Sequence, residues 1–244
     1  MCTVTYLPYK DGFILTSNRD ESIIRPKALT PAIESYKSEQ LLFPKDPKGL
    51  GSWIGYSDHW DAVVLLNGGH QGHIPNPPYR QSRGLVVLDL LCNPHIKKFI
   101  SSYNFQDIEP FTIVAIRKNE LYSFVWDSKK ISFNQLESNS HYIWSSSTLY
   151  KEDIRLKRQI WFQEWHTEQN GFYELDQIRD FHHFGGEGHH SEVLKMEKTE
   201  IQLKTVSITS ILKTENQHFM LYEDLLSNAK YEAKLHESVQ LIEV

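Results

Sequence analysis

A cysteine stands at position 2, directly behind Met1, and the charged run Asn18-Arg19-Asp20-Glu21 follows sixteen residues later. Removal of an initiator methionine is favoured when the next side chain is small, and Cys2 meets that condition. Trimming exposes an α-amine of reference pKa about 7.7–8.0 beside a thiol of about 8.5, so one residue then supplies both base and nucleophile. Asp20 or Arg19 could orient that amine or hold a substrate carboxylate. Asn67, closing an apolar run just before Gly68-Gly69, could donate to an oxyanion, and glycines there let a ligand approach the backbone. His70 and His73 flank the following loop, and His70 is assigned to substrate contact.

These groups need a scaffold that brings them together. Thr3 to Leu7 is β-branched and aromatic, Asp11-Gly12 is a turn dipeptide, and Phe13 to Thr16 is apolar again, which predicts a hairpin. A turn centred between Lys10 and Gly12 makes paired residue numbers sum to between 21 and 23, so Cys2 falls opposite Arg19, Asp20 or Glu21. A sum of 22 puts Cys2, Asn18 and Asp20 on one face; 21 or 23 puts Arg19 there instead.

Farther along, 24–50 reads as a long surface loop, and 51–56 and Ala62 to Asn67 as strands. The stretch 72–79 is a proline-rich loop. RGLVVLDLL predicts a helix from Ser82, with a second near Ile96 to Tyr103. A meander follows over Phe111–Ile116, Leu121–Trp126 and Ile131–Leu136. Helices are predicted for Lys151–His166, with apolar positions Ile154, Ile160, Trp161 and Trp165, and for Leu175–Phe181. Strands return at Gln202–Leu212, His218–Tyr222 and Tyr231–Leu241. Antiparallel hairpins with two inserted helical blocks indicate an α+β class, stacked sheets covered by helices.

The 244 residues carry a net charge of -5 and show no cluster of Lys and Arg, which argues against a nucleic-acid partner. Two cysteines are too few for a disulfide framework, no apolar run approaches the roughly 20 residues of a membrane helix, and the opening residues do not read as a secretory signal. The expectation is a single cytoplasmic domain over 1–244, acting on a small molecule, without a cofactor.

Several blocks share an order and spacing with a known family. MC-T at the start, SNRDE after the hairpin, Arg25-Pro26, GSWIG at 51–55, LLNGG at 65–69 and SRG at 82–84 resemble the NRDE family, also called the transport and Golgi organisation protein 2 family. WSSSTLYKEDIRLKR and KTVSITSIL resemble its later segments more loosely. That family is similar to the N-terminal nucleophile hydrolases of the bile-salt hydrolase and penicillin V acylase branch. The resemblance implies a four-layer αββα sandwich of two antiparallel sheets, with Cys2 as nucleophile. Asp20 beside Arg19 and Asn18 would match the branch's polar site at the end of the second strand, and Asn67 its oxyanion or positioning amide. Ser146 stands where a second Asn is often found, and Val206 where an Arg or polar residue is common; both are departures. A hydroxyl does not reproduce an amide's geometry, and loss of a charge at Val206 weakens the case for an acidic substrate.

The implied activity is hydrolysis or acyl transfer at a C–N amide bond through an acyl-thioester on Cys2. The alternative is a non-catalytic carrier of haem or an acyl-CoA or other lipid on the same fold, because NRDE relatives have been linked to haem and lipid handling. The run His182-His183-Phe184-Gly185-Gly186-Glu187-Gly188-His189-His190 holds metal-ligand residue types, but its spacing fits no closed site, and it reads as a solvated, glycine-loosened loop. Trp53 reads as core near the site and Cys92 as an inert buried thiol. Arg80 and Arg83 could hold an anion at a helix N-terminus, or Arg83 a structural ion pair.

Overall fold

The computed structural model describes residues 3–189, 192–237 and 239–242. Cys2, His190 and Met1 lie outside the described residues.

The predicted hairpin forms from β1 (Thr3–Tyr9) and β2 (Gly12–Ser22), turning through Lys10 at φ 53°. The stretch expected to be a loop instead contains β3 (Leu29–Tyr36) and β4 (Glu39–Lys45). β3 is an edge strand whose exposed and buried positions do not alternate cleanly, and Pro31 sits where its register shifts between Leu29 and Ala32. An edge or bulge is where a strand tolerates proline, so composition hid it. β5 (Ile54–Ser57) and β6 (Ala62–Asn67) follow, then α1 (Arg83–Leu91) and α2 (Ile96–Ser102). The meander is β7 (Phe111–Arg117), β8 (Glu120–Trp126) and β9 (Ile131–Leu136).

A short strand without a clear sequence signal, β10 (Tyr142–Ser145), precedes α3 (Glu152–Glu168) and α4 (Leu175–Phe184). Next come β11 (Glu197–Lys198), β12 (Leu203–Lys213) and β13 (His218–Asp224). The final predicted strand divides into β14 (Ala229–Ala233) and β15 (Gln240–Ile242), which pair with each other.

The strands form two antiparallel sheets. One runs β10-β1-β2-β12-β13-β14-β15, with β11 added to β12; the other runs β3 to β9 in chain order. Three apolar layers hold them together. Val4, Tyr6, Phe13 and Leu15 meet Ile54, Val64, Leu66 and Val114 between the sheets. Val63, Leu65, Ile113 and Phe124 pack under Val87, Leu90 and Leu91 of α1 and Phe99 of α2. Leu7, Ile14 and Leu212 pack under Phe162 of α3 and Ile178 and Phe181 of α4. β1, β2, β6 and β7 each feed two cores with alternate residues, which is the period-2 rule of a sheet covered on both faces. The result is the expected αββα sandwich.

Candidate functional site

Register decides which side chains meet. Thr3 pairs with Asn18 and Tyr9 with Gly12, so paired numbers sum to 21. This is one of the two arrangements left open by the sequence in which Arg19 shares a face with the even-numbered residues of β1. Arg19 points between the sheets, while Asn18 and Asp20 turn to the opposite face, beneath the helices. The three residues of the polar run thus serve two separate environments.

Asn18 is fully buried and wholly engaged. Its Nδ2 donates to the carbonyls of His182 (3.2 Å) and Leu194 (2.9 Å), which leaves Oδ1 as acceptor for Nδ1 of His182 at 2.6 Å. Nδ1 must then carry the proton, so Nε2 of the neutral imidazole accepts from the Thr5 hydroxyl at 2.7 Å. Burial, aided by nearby Arg179, pushes His182 well below the usual imidazole range. The position read as part of a solvated histidine loop is a sealed core histidine in the last turn of α4. Asn18 is occupied in positioning that turn, with no donor left for a substrate.

Asp20 is also buried, and its two oxygens accept from Tyr150 (2.9 Å) and from Thr205 (2.5 Å). The Tyr150 ring lies 3.6 Å from the guanidinium of Arg158, which is itself completely buried. Arg158 donates to Thr3 Oγ1 at 2.6 Å and to the carbonyls of Glu192 and Val193. A connected polar chain therefore runs from the first described residue of β1, through Arg158 and Tyr150, to Asp20. The cation–π stack of Arg158 on Tyr150 joins two hydrogen-bonded sets, one around the buried guanidinium and one around the buried carboxyl group.

Arg19 has only 3% of its surface exposed and stacks over Trp53 at 4.4 Å from the ring centre. Its ion pairs, with Asp46 at 3.0 Å and Glu21 at 3.6 Å, both fall on Nη2. Asp46 also receives Arg25 at 2.8 Å and the N–H groups of Lys48 and Gly49. Burial alone pushes the Asp46 carboxyl up, but the Gly49 N–H and the guanidinium of Arg25 outweigh it and hold the group below its ordinary value. Arg19, Glu21, Arg25, Asp46 and Trp53, with Ser52, Leu65, Asn67 and the start of α1 at Ser82, Arg83 and Gly84, line a cleft of about 170 Å³. Val206 sits at the bulge where β12 shifts register between Thr205 and Ser207, buried in an adjacent pocket with Tyr222 and Asp224.

Asn67 lines this cleft and also a second one, of about 230 Å³, walled by Thr112, Trp144, Ser145, Ser146, Arg155 and Gln159. Its position depends on Gly68 at φ 90°: a Cβ there would lie 2.3 Å from Ser147 Oγ. Ser146 is buried and donates its hydroxyl proton to the backbone carbonyl of Asn67 at 2.7 Å. With its single proton spent there, Ser146 positions Asn67 rather than reaching a substrate. His70 lies at the exposed edge of the second cleft, with Nε2 3.0 Å from Ser132 Oγ. Thr3 completes the arrangement, because β1 begins between Asn18 of β2 and Ser145 of β10.

The sequence matches the profile of the transport and Golgi organisation 2 family over residues 1–241. The chain belongs to that family. No curated protein sequence matches it. Among solved structures it is similar to a Caenorhabditis elegans N-acylethanolamine-hydrolyzing acid amidase orthologue, with a TM-score of 0.58 and 12% identity over 99% of this chain and 100% of the other. It is also similar to conjugated bile acid hydrolase from Clostridium perfringens, seen as an arginine-to-leucine and a cysteine-to-alanine variant. Both give a TM-score of 0.60 and 8% identity over 100% of this chain and 97% of theirs. At these identities the likeness establishes the fold, the sandwich of the N-terminal nucleophile hydrolases.

For this family member, sequence reasoning missed Tyr150, Arg158, Thr205 and Asp46. A signal for Arg158 existed: Ile154, Arg158, Phe162 and Trp165 repeat at helical spacing, so a charge falls on the buried stripe of α3. Ile160, counted as part of that stripe, is 56% exposed. Arg83 forms the ion pair, with Glu109 at 3.0 Å, and Cys92 donates to the Tyr36 carbonyl while burial pushes its thiol up to about 11.

Among the described residues no cluster of His, Cys, Asp or Glu is placed to hold a metal ion, and no helix is long and apolar enough to cross a membrane. Haem does not fit the residues flanking Asn67. Pockets for ligands of that kind are mostly apolar and about 300–1,000 Å³. These clefts are smaller, one is ringed by arginines and carboxylates, and His70 is already engaged by Ser132.

Proposed function

We propose that this family member is an N-terminal nucleophile hydrolase, acting on a small-molecule amide through an acyl-thioester on Cys2. The observation that carries this reading is the start of β1. Thr3 is held between Asn18 and Ser145, beside two clefts that share Asn67, and is wired through Arg158 and Tyr150 to Asp20. Cys2 is the residue that directly precedes Thr3 in the sequence.

With Met1 removed, the α-amine of Cys2 takes the thiol proton and the thiolate attacks the substrate's carbonyl carbon. The side-chain amide of Asn67, free of hydrogen bonds to other described residues, donates to the developing oxyanion. The C–N bond then breaks, the leaving nitrogen takes the proton from the α-ammonium, and an acyl-thioester remains. Water, deprotonated by the same amine, attacks the thioester; the acid leaves and the thiol is restored. Asp20 orients the ammonium and Arg19 fixes the rim. Acyl transfer differs only in the nucleophile of the second half-reaction. A cytoplasmic setting, where the thiol stays reduced, belongs to the same proposal.

Intact mass spectrometry tests it. The expected product is a protein lacking Met1 that gains one acyl group during amide turnover, with no adduct on Cys2→Ala. Retention of Met1 on the active fold overturns the mechanism.

A further inference from the structure

A separate pocket lies at the other end of β1. Tyr9 stands at the end of the strand that Thr3 begins, roughly 20 Å farther along an extended backbone. Pro8, Tyr9 and Lys10 at the turn of the hairpin meet Phe172, Tyr173 and Glu174, which lead into α4, around a pocket of about 440 Å³. That volume falls within the range of small-molecule sites. Two of its aromatic walls are fixed. The Tyr9 hydroxyl donates to Glu174 Oε2, and the Tyr173 hydroxyl to the Pro8 carbonyl. Tyr9 is buried, and the Tyr173 ring packs against Trp165 at 6.0 Å and His166 at 5.8 Å. Glu174 is held in turn by the capping box of α4, where its side chain accepts from the Gln177 N–H. Both tyrosine hydroxyls are thus spent on the scaffold, and the rings offer a ligand their π surface. Phe172 follows Asn170 and Gly171, both in left-handed backbone (φ 52° and 76°), and is 83% exposed. Its ring is available to a ligand rather than to the core.

The pocket already favours positive charge. The Lys10 ammonium lies 4.6 Å from the centre of the Tyr9 ring, within cation–π range. Contact with the Tyr9 side chain, then the charges of Glu174 and Asp11, raise the Lys10 amine above its ordinary value. Among the described lining residues only Lys10 and Glu174 are charged. A lysine ammonium is compact and strongly hydrated, and Lys10 is exposed, so it matches aromatic faces poorly and has water as an alternative. A methylated ammonium is weakly hydrated and lacks that alternative. Aromatic faces beside a carboxylate are the chemistry that recognises it.

We propose that this pocket binds a quaternary ammonium group of choline size, with the Lys10 ammonium standing in its place when no ligand is bound. The ligand's charge lies over the face of Tyr9 and beside Glu174, its methyl groups meet Tyr173, and Phe172 covers it from the solvent side. The site is remote from Thr3 and does not depend on chemistry at Cys2.

The test compares choline with its neutral isostere 3,3-dimethyl-1-butanol, each titrated into the full chain and followed by NMR shifts of ligand and protein. Choline is expected to bind about fivefold or more tightly than the alcohol. Phe172→Ala removes an exposed ring, so folding is not at risk, and should weaken choline about threefold or more. Glu174→Gln keeps an acceptor oxygen for Tyr9 but loses the charge; it should weaken choline and leave the alcohol unchanged. Lys10→Ala removes the internal competitor and should tighten choline about twofold to threefold. Equal affinity for the two probes overturns the proposal, as does a preference untouched by both Phe172→Ala and Glu174→Gln. Weaker choline binding in Lys10→Ala overturns the role given to Lys10. Vesicles of phosphatidylcholine separate the two sources of such a group. Co-sedimentation of the protein that choline reverses marks a lipid headgroup, and choline binding without co-sedimentation marks a free cation.

Discussion

The guanidinium of Arg158 lies 3.6 Å from the centre of the Tyr150 ring, and the hydroxyl of that same ring donates to Asp20 at 2.9 Å. One aromatic side chain thus separates and connects two buried charges. Tyr150→Phe keeps the stack and deletes the donor. Hydrogen bonds to charged groups contribute about 1.5–3 kcal/mol, so a fall in Tm of several degrees is expected in calorimetry. An unchanged Tm would remove this link from the network.

Ser146→Ala discriminates positioning from direct catalysis. Losing a donor to the transition state costs about 100-fold to 1,000-fold in kcat. The hydroxyl of Ser146 is committed to the Asn67 carbonyl, so the loss expected is smaller, about tenfold or less, with KM little changed. Steady-state kinetics on an amide substrate decides it.

Gly68 has φ 90°, and an added Cβ would meet Ser147 Oγ at 2.3 Å and the Thr148 side chain at 2.9 Å. Gly68→Ala should therefore destabilise the fold by about 1–3 kcal/mol from backbone strain alone and displace Asn67. Denaturant titration and turnover, measured together, should both fall.

Acid should unfold the protein in two stages. Burial depresses His218 from 6.5 to about 4 and His182 well below 6.5, so the folded state binds fewer protons than the unfolded chain below pH 6.5. Their stabilising contribution is complete above that value and is lost as pH falls toward 4. Burial alone would raise Glu223, but His183 and Arg179 outweigh it and hold it at about 2, against an ordinary 4.5; its contribution is lost between those values. His218→Gln, which can still donate to the Asp61 carbonyl as His218 does at 2.9 Å, should flatten the first stage of a urea-midpoint profile. A slope unchanged between pH 6.5 and 4 would refute that assignment.

The sandwich was legible because its strands alternate or run continuously apolar and its turns carry glycine, asparagine or aspartate. β3 and β10 were not: one is a proline-bearing edge, the other four half-buried residues whose partner is the distant β1. The cluster at the hairpin's end was also legible, but its sidedness was not. One residue of register separates Arg19 in the cleft from Asp20 under the helices, and no local signal sets that choice. Arg158 and Tyr150 reach the site only through tertiary folding. His182 was misread because neighbouring glycines suggest looseness, whereas its environment comes from Asn18 and Thr5, far away in sequence.

The β1–β2 hairpin is flanked on one side by β10, at 142–145, and on the other by β12, at 203–213. During synthesis the β1 edge can be covered only once residue 145 has been made, and the β2 edge only once residue 213 has. Asp20 meets Thr205, and Thr3 meets Arg158, only after those distant segments exist. The start of β1 is therefore made long before its surroundings, and nascent chains pass through an interval in which the buried polar groups of Thr3, Asn18 and Asp20 still lack their partners on α3, α4 and β12.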